Sequence, residues 1–217
     1  MAEHGTVQPD AGLGQAPGDD ERAAAYRWLS GIFAREPSAE AMAAYSGGDG
    51  QTLLAHIGSI APLSDVAGAL AELANDPDHE ARARDLAGAF AWLFHGVGGR
   101  RGAPPFASVY MSARGLIQQE SAAQAAHDLA RLDARLAADF AEPPDHVAVQ
   151  LSMMAELVER GTPRIQAAFL DRRLLPWIPE FRDACIAGDR HGLYGMAARC
   201  MVGFLEADRA QLQALTQ

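Results

Sequence analysis

The segment 142–146, Glu-Pro-Pro-Asp-His, places two carboxylates and an imidazole side by side. Pro143 and its successor restrict the backbone, so the segment enters the following helix in an extended conformation. Asp145 can cap that helix or stay free, and His146 is expected in its first turn. A carboxylate held in this way, as on Glu142 or Asp145, can bind an arginine through two hydrogen bonds. The segment is either a helix start with a solvated carboxylate or an acidic rim beside a groove.

A second candidate for chemistry is the glycine-rich segment 95–105, which contains Arg100 and Arg101. Glycines and guanidinium groups can hold a phosphate, but the segment lacks the P-loop pattern and the chain has no lysine. A twin-arginine export signal stands at the N-terminus before an apolar stretch, whereas this pair is followed by Gly-Ala-Pro-Pro. The segment is therefore predicted to be a flexible link between two helices.

Metal ligands and nucleophiles form no recognisable motif. The seven histidines include no His-Glu-x-x-His pattern, and Cys185 and Cys200 form no Cys-x-x-Cys pair. Both cysteines lie on apolar helix faces and are predicted to be buried. The triplet Pro-Asp-His occurs at 77–79 and 144–146, each time before a helical pattern. The sequence predicts a non-catalytic protein without a metal site, and a nucleotide-binding or metal-dependent all-α hydrolase is the alternative.

Composition narrows the range of partners. The formal net charge is -10, which disfavours nucleic acid or an anionic membrane as partner but is compatible with a basic peptide. No apolar run approaches the ~18 residues of a membrane span. Residues 1–20 have neither the basic start nor the apolar core of a signal peptide. We therefore expect a cytoplasmic protein with a disordered tail at residues 1–19.

The elements that must position these residues are helices. Apolar residues recur at helical spacing throughout, and no segment alternates cleanly with period two. Asp19 and Asp20 are cap candidates for the first helix. The pair Val109-Tyr110 is the strand-like exception. The pattern predicts an all-α fold of nine or ten helices over residues 20–217, with these apolar stripes: Tyr26, Leu29, Phe33; Leu63, Val66, Leu70, Leu73; Leu86, Phe90, Leu93, Phe94; Val109, Ala113, Leu116, Ile117; Ala125, Leu129, Leu132, Leu136, Phe140; Val147, Leu151, Met154, Val158; Leu193, Met196, Cys200, Phe204.

Several segments together resemble the TorD/DmsD/NarJ family of cytoplasmic redox-enzyme maturation chaperones. The segment 89–96 is similar to the family's aromatic-x-x-Leu-Phe-x-Gly helix end, and 103–110 is similar to its Pro-Pro-aromatic-x-Ser-Val-Tyr segment. The segment 142–157 resembles its Glu-Pro-x-Asp-His helix start. The segment 169–181 resembles its Phe-Leu-x-x-His-Leu-x-x-Trp-x-x-x-Phe segment, with Arg173 in place of the common histidine. The final helix, 193–208, also matches, whereas the first 80 residues match only in being helical.

This resemblance implies a TorD/DmsD-like fold with two helical lobes, roughly 20–141 and 142–217, and a hinge near 140–146. It implies a chaperone that binds an immature molybdopterin-dependent oxidoreductase of the dimethyl-sulfoxide or trimethylamine-oxide reductase type, its twin-arginine leader, or both. Such a chaperone assists cofactor insertion and delays export. A weakly bound guanine nucleotide is the one cofactor that the resemblance suggests. A monomer and a domain-swapped dimer are both compatible with a hinge loop.

The residues fit this mechanism. A leader peptide carries paired arginines and an apolar stretch. Glu142 and Asp145 could bind the arginines, with Pro143 and His146 beside them. An apolar groove could be lined by Phe94, Phe106, Tyr110 and Trp177. The glycine-rich loop 95–103 could shift when a client docks.

Overall fold

The structure, a computed structural model, describes residues 16–111 and 143–216. Within them the chain forms ten α-helices and no strand. Short 3₁₀ helices lie at Ala61–Leu63 and Gly99–Arg101, and a short π-helix lies at Leu170–Leu174. The α-helices are α1 (Asp19–Ala34), α2 (Ala39–Ser46), α3 (Gly48–Gly58), α4 (Ser64–Ala74), α5 (His79–Phe94), α6 (Ala107–Met111), α7 (Val147–Arg160), α8 (Pro163–Phe169), α9 (Ile178–Gly188) and α10 (Leu193–Leu215).

The prediction of an all-α fold with nine or ten helices is confirmed. The apolar stripes of α1, α5 and α7 are buried as the periodicity predicts. The fifth stripe and most of the fourth lie outside the described residues. Val109 and Tyr110 were wrongly singled out as strand-like, because both lie in α6. Cys185 and Cys200 are buried, as expected.

Helix α1 packs mainly against α7, so the described parts of the two sequence halves share one core. The predicted caps of α1 were wrong. Gly18 is the N-cap residue, and its N–H donates to the Glu21 side chain over 2.9 Å. Asp19 and Asp20 instead lie in the first turn, where their negative charges favour the helix dipole.

A buried ion pair joins the first helix to the last. Arg22 of α1 is 1% exposed and donates to Asp208 of α10, which is 3% exposed. Tyr26 donates to the same carboxylate over 2.6 Å, and Arg22 also donates to Gln166 of α8. Burial, above all, raises the pKa of Tyr26, which therefore stays a hydrogen-bond donor. With a further hydrogen bond to Asp19, Arg22 bonds to three side chains, as a buried charge requires.

Candidate functional site

Two segments that are far apart in sequence form one backbone unit. Phe106 and His146 make an isolated antiparallel β-bridge. Around it, the Ala107 N–H donates to the Asp145 carbonyl over 3.1 Å, and the Val147 N–H donates to the Pro105 carbonyl over 2.8 Å. The Pro-Pro-aromatic segment and the Pro-Asp-His segment are thereby held side by side, where α6 and α7 begin. We call this unit the joint.

Asp145 lies at the centre of the joint and is not free. Its side chain is fully buried, and Oδ2 accepts a hydrogen bond from the Ser108 N–H over 2.9 Å. Asp145 therefore caps α6, a helix that begins 38 positions earlier in the chain than Asp145, and not the helix that follows it. The other carboxyl oxygen, Oδ1, has no hydrogen-bond partner among the described residues.

His146, and not Asp145, is the N-cap of α7. Its Nδ1 accepts from the Ala148 N–H over 3.1 Å, so the expectation that it lies in the first turn was wrong. A ring nitrogen can accept only when it is unprotonated. Burial lowers the pKa of His146 to about 4, with a smaller contribution from His95, and so keeps the ring neutral. In the first Pro-Asp-His triplet, by contrast, Asp78 caps α5 directly through the Ala81 N–H.

Aromatic rings pack against the joint. Phe106 meets the ring of His146 edge-on, with centroids 5.2 Å apart. Tyr110 is half-buried and stacks on Trp177, with centroids 5.6 Å apart. The Trp177 indole N–H donates to the Gln150 side chain and to the Arg173 carbonyl. These contacts bring the 169–181 segment to the same place as the joint.

The structure brings most of the predicted site residues together, but in unequal positions. Phe94 and Trp177 are buried in the core, where their rings contact other side chains. Phe106 and Tyr110 are partly exposed. Pro143 begins the described part of the joint, and its carbonyl accepts from the His146 N–H. Glu142 lies outside the described residues.

Three buried polar atoms of the joint have no partner among the described residues: Asp145 Oδ1, Ser108 Oγ and the Tyr110 hydroxyl. Burial, chiefly, raises the pKa of Tyr110, so its hydroxyl is protonated at neutral pH. An unpartnered buried polar group is costly, and each such group needs an explanation. Asp145 Oδ1 can accept a hydrogen bond, and the Ser108 and Tyr110 hydroxyls can each donate one. Ser108 was not among the predicted site residues, although it belongs to the Pro-Pro-aromatic-x-Ser-Val-Tyr pattern.

The glycine-rich loop is attached to the end of α5. The Gly98 N–H donates to the Trp92 carbonyl over 2.9 Å, and the Ala103 N–H donates to the Leu93 carbonyl over 2.7 Å. Gly96 and Gly99 have φ values of 78° and 54°, in the left-handed region that favours glycine. The glycines are therefore needed for the path of the backbone itself.

A separate shallow groove lies between α2 and the start of α5. Its volume is about 700 Å³. Its lining combines apolar and acidic side chains with one histidine: Ala39, Ala43, Pro77, Glu40, Asp78, Glu80 and His79. The groove thus joins a small apolar floor to exposed carboxylates.

Two further findings concern metals and membranes. Within the described residues no group of three or more His, Cys, Asp and Glu side chains is placed to hold a metal ion. No single described helix has the length and apolar composition of a membrane span, although Gly48–Gly58 and Ala61–Ala74, bent by 120°, meet that test as a pair.

Comparison with known proteins agrees with the sequence motifs. The family model described as nitrate reductase delta subunit matches residues 61–183, more than half of the chain. The chaperone protein TorD of Vibrio cholerae serotype O1 (strain ATCC 39541 / Classical Ogawa 395 / O395) is 31% identical over 211 residues, which cover 92% of this chain and 95% of that protein. TorD of Aliivibrio fischeri is 28% identical over 202 residues, covering 88% and 94%.

The fold has a solved counterpart. A crystal structure from Archaeoglobus fulgidus, described as a redox enzyme maturation protein, aligns with a TM-score of 0.52 at 15% identity. The alignment covers 95% of this chain and 99% of that one. The two relatives from Vibrio cholerae and Aliivibrio fischeri are named chaperone protein TorD, which confirms the predicted resemblance and the prediction of a protein that is not an enzyme. The chain belongs to the family of TorD chaperones and nitrate reductase delta subunits.

Proposed function

We propose that this protein is a maturation chaperone that binds an immature molybdopterin-dependent oxidoreductase in the cytoplasm, before export, and holds it for cofactor insertion. Membership of a family whose relatives are named TorD chaperones supports the chaperone role. We propose a client of the dimethyl-sulfoxide or trimethylamine-oxide reductase type, recognised in part through its twin-arginine leader.

The observation that carries this proposal is the joint with its three unpartnered buried polar atoms. A leader arginine supplies hydrogen-bond donors, and Asp145 Oδ1 is a carboxyl acceptor without a donor among the described residues. The half-buried rings of Phe106 and Tyr110 supply apolar contact beside it. The joint therefore offers a carboxyl acceptor for the leader arginines and aromatic rings for the apolar stretch of the leader.

Access to this acceptor requires movement, because Asp145 is fully buried. The backbone bridge between Phe106 and His146 and the Asp145–Ser108 hydrogen bond hold α6 against the start of α7. We propose that client binding separates these two segments, so that the predicted hinge near 140–146 opens at the joint. Hydrogen bonds to the client replace those broken within the joint, so the free-energy difference between the closed and the open state stays small.

Two experiments test the function. The tagged protein, expressed with its chromosomal neighbours, should co-purify an apo-molybdoenzyme that mass spectrometry identifies. Calorimetry should then show binding of a synthetic leader peptide, with much weaker binding when glutamine replaces both leader arginines. Failure to capture any molybdoenzyme contradicts the chaperone role, and equal affinity for the two peptides contradicts recognition of the arginines.

A matched variant tests whether the leader peptide binds at the joint or in the groove between α2 and α5. Glu40→Gln with Glu80→Gln removes two exposed groove carboxylates and leaves the joint intact. This variant should bind the leader peptide as the unmodified protein does, whereas Asp145→Asn should bind it more weakly. The reverse result places the leader arginines in the groove between α2 and α5.

A further inference from the structure

Two arginines lie against one tryptophan at the end of α5, and a third is adjacent in sequence. The Arg190 guanidinium lies 3.8 Å from the centroid of the Trp92 ring, and that of Arg101 lies 5.9 Å from it. Arg100 is the exposed neighbour of Arg101, and Val97 in the same loop is 66% exposed. We call these five residues the arginine patch.

Close backbone contacts build this patch. A Cβ atom on Gly188, at the end of α9, would lie only 2.2 Å from the Arg101 carbonyl oxygen, so glycine lets the loop lie directly on α9. Asp189 then accepts hydrogen bonds from the His191 and Gly195 N–H groups and fixes the turn that carries Arg190. The patch is therefore a product of the fold and not of two mobile side chains that meet by chance.

Among the described residues no carboxylate lies within ion-pair distance of Arg100, Arg101 or Arg190. The neighbouring Asp189 carboxylate is engaged by backbone N–H groups instead. Many arginines elsewhere do pair with carboxylates, as Arg209 does with Asp171. A cluster of unpaired cations stands out in a chain of net charge -10.

We infer that the arginine patch docks an acidic polypeptide segment of a partner protein. Guanidinium groups bind carboxylates through paired hydrogen bonds, and the exposed Val97 side chain offers an apolar contact between the charges. The net charge of -10 repels long polyanions such as nucleic acid and anionic membranes, whereas a short acidic segment meets only the local positive field. The inference stands apart from the proposed leader site and holds whichever partner carries the segment.

The test uses the full-length protein and a fluorescein-labelled short peptide of glutamates interspersed with leucine. A peptide with glutamine in place of every glutamate is the control ligand. Fluorescence anisotropy should show binding of the glutamate peptide that weakens as salt is raised, and about tenfold or more weaker binding of the glutamine peptide. This comparison needs no substitution in the protein.

Charge-matched variants locate the contact. Arg101→Gln with Arg190→Gln should weaken binding of the glutamate peptide by about tenfold or more. Arg84→Gln with Arg164→Gln removes the same charge from exposed positions elsewhere and should leave the affinity unchanged. Circular dichroism establishes that both variants are folded. Equal loss in the two variants, equal affinity for the two peptides, or tighter binding to phosphatidylglycerol vesicles than to the glutamate peptide would overturn the inference.

Discussion

Substitutions of Asp145 test whether this residue binds the client directly or only positions α6 in the joint. Asp145→Ala removes the acceptor of the Ser108 N–H, a buried hydrogen bond of 2.9 Å. A buried donor left without a partner costs about 1–3 kcal/mol, and loss of a helix cap costs about 1 kcal/mol. Both values describe the same lost contact, so we expect the free energy of unfolding to fall by about 2 kcal/mol.

Asp145→Asn is the informative partner of this change. The asparagine side-chain oxygen can still accept from the Ser108 N–H, so α6 keeps its cap and the expected loss is below about 1 kcal/mol. The amide nevertheless has no negative charge to pair with a leader arginine. We therefore expect stability close to that of the unmodified protein together with weaker leader binding.

Urea unfolding at neutral pH and calorimetric titration of a leader peptide measure the two quantities. An Asp145→Ala variant as stable as the unmodified protein would refute the capping contact. Unchanged leader affinity in Asp145→Asn would show that this carboxylate does not bind an arginine. In that case Asp145 positions α6, and the direct contacts belong to other residues.

Three further predictions concern the stability of the fold. Lowering the pH from 6.5 towards 4 should reduce the free energy of unfolding by up to about 3 kcal/mol, because the His146 ring is protonated at a higher pH in the unfolded chain than in the folded protein. In His146→Asn, whose side chain can still cap α7, denaturant titration should show that this part of the pH dependence is lost. Asp208→Ala should cost about 3–5 kcal/mol in urea unfolding, because Arg22 loses its buried charge partner and keeps only the exposed Asp19. A loss below about 1 kcal/mol would contradict the importance of the buried pair. Gly188→Ala should lower the melting temperature, because its Cβ would lie 2.2 Å from a backbone oxygen. Gly31→Ala, whose Cβ would lie in open space within α1, should instead raise the free energy of unfolding by about 0.5–1 kcal/mol. Equal changes in the melting temperature of the two variants would contradict the close contact at Gly188.

The helices and their buried faces could be predicted from the sequence because helical periodicity is a local signal. Phe90, Leu93 and Phe94, for example, recur at helical spacing and are buried in α5. The joint could not be predicted in the same way. The partner of Asp145 is Ser108, 37 residues away, and local rules assign an aspartate before a helix to the helix that follows it.

The two Pro-Asp-His triplets show this limit directly. In the first, Asp78 caps the helix that follows it, as the local rule predicts. In the second, a distant segment lies close enough to take the carboxylate, and His146 becomes the cap. The same Pro-Asp-His sequence thus has different roles at the two positions, because the tertiary surroundings differ. The segments that carry the family motifs, 103–110, 143–157 and 169–181, nevertheless meet in space.

The Arg22–Asp208 pair also has a consequence for the order of synthesis. The two residues are separated by 186 positions, so the ribosome adds the carboxylate that buries against Arg22 long after Arg22 itself. An arginine buried without its partner is strongly destabilised. We therefore expect α1 to dock only after α10 has left the ribosome.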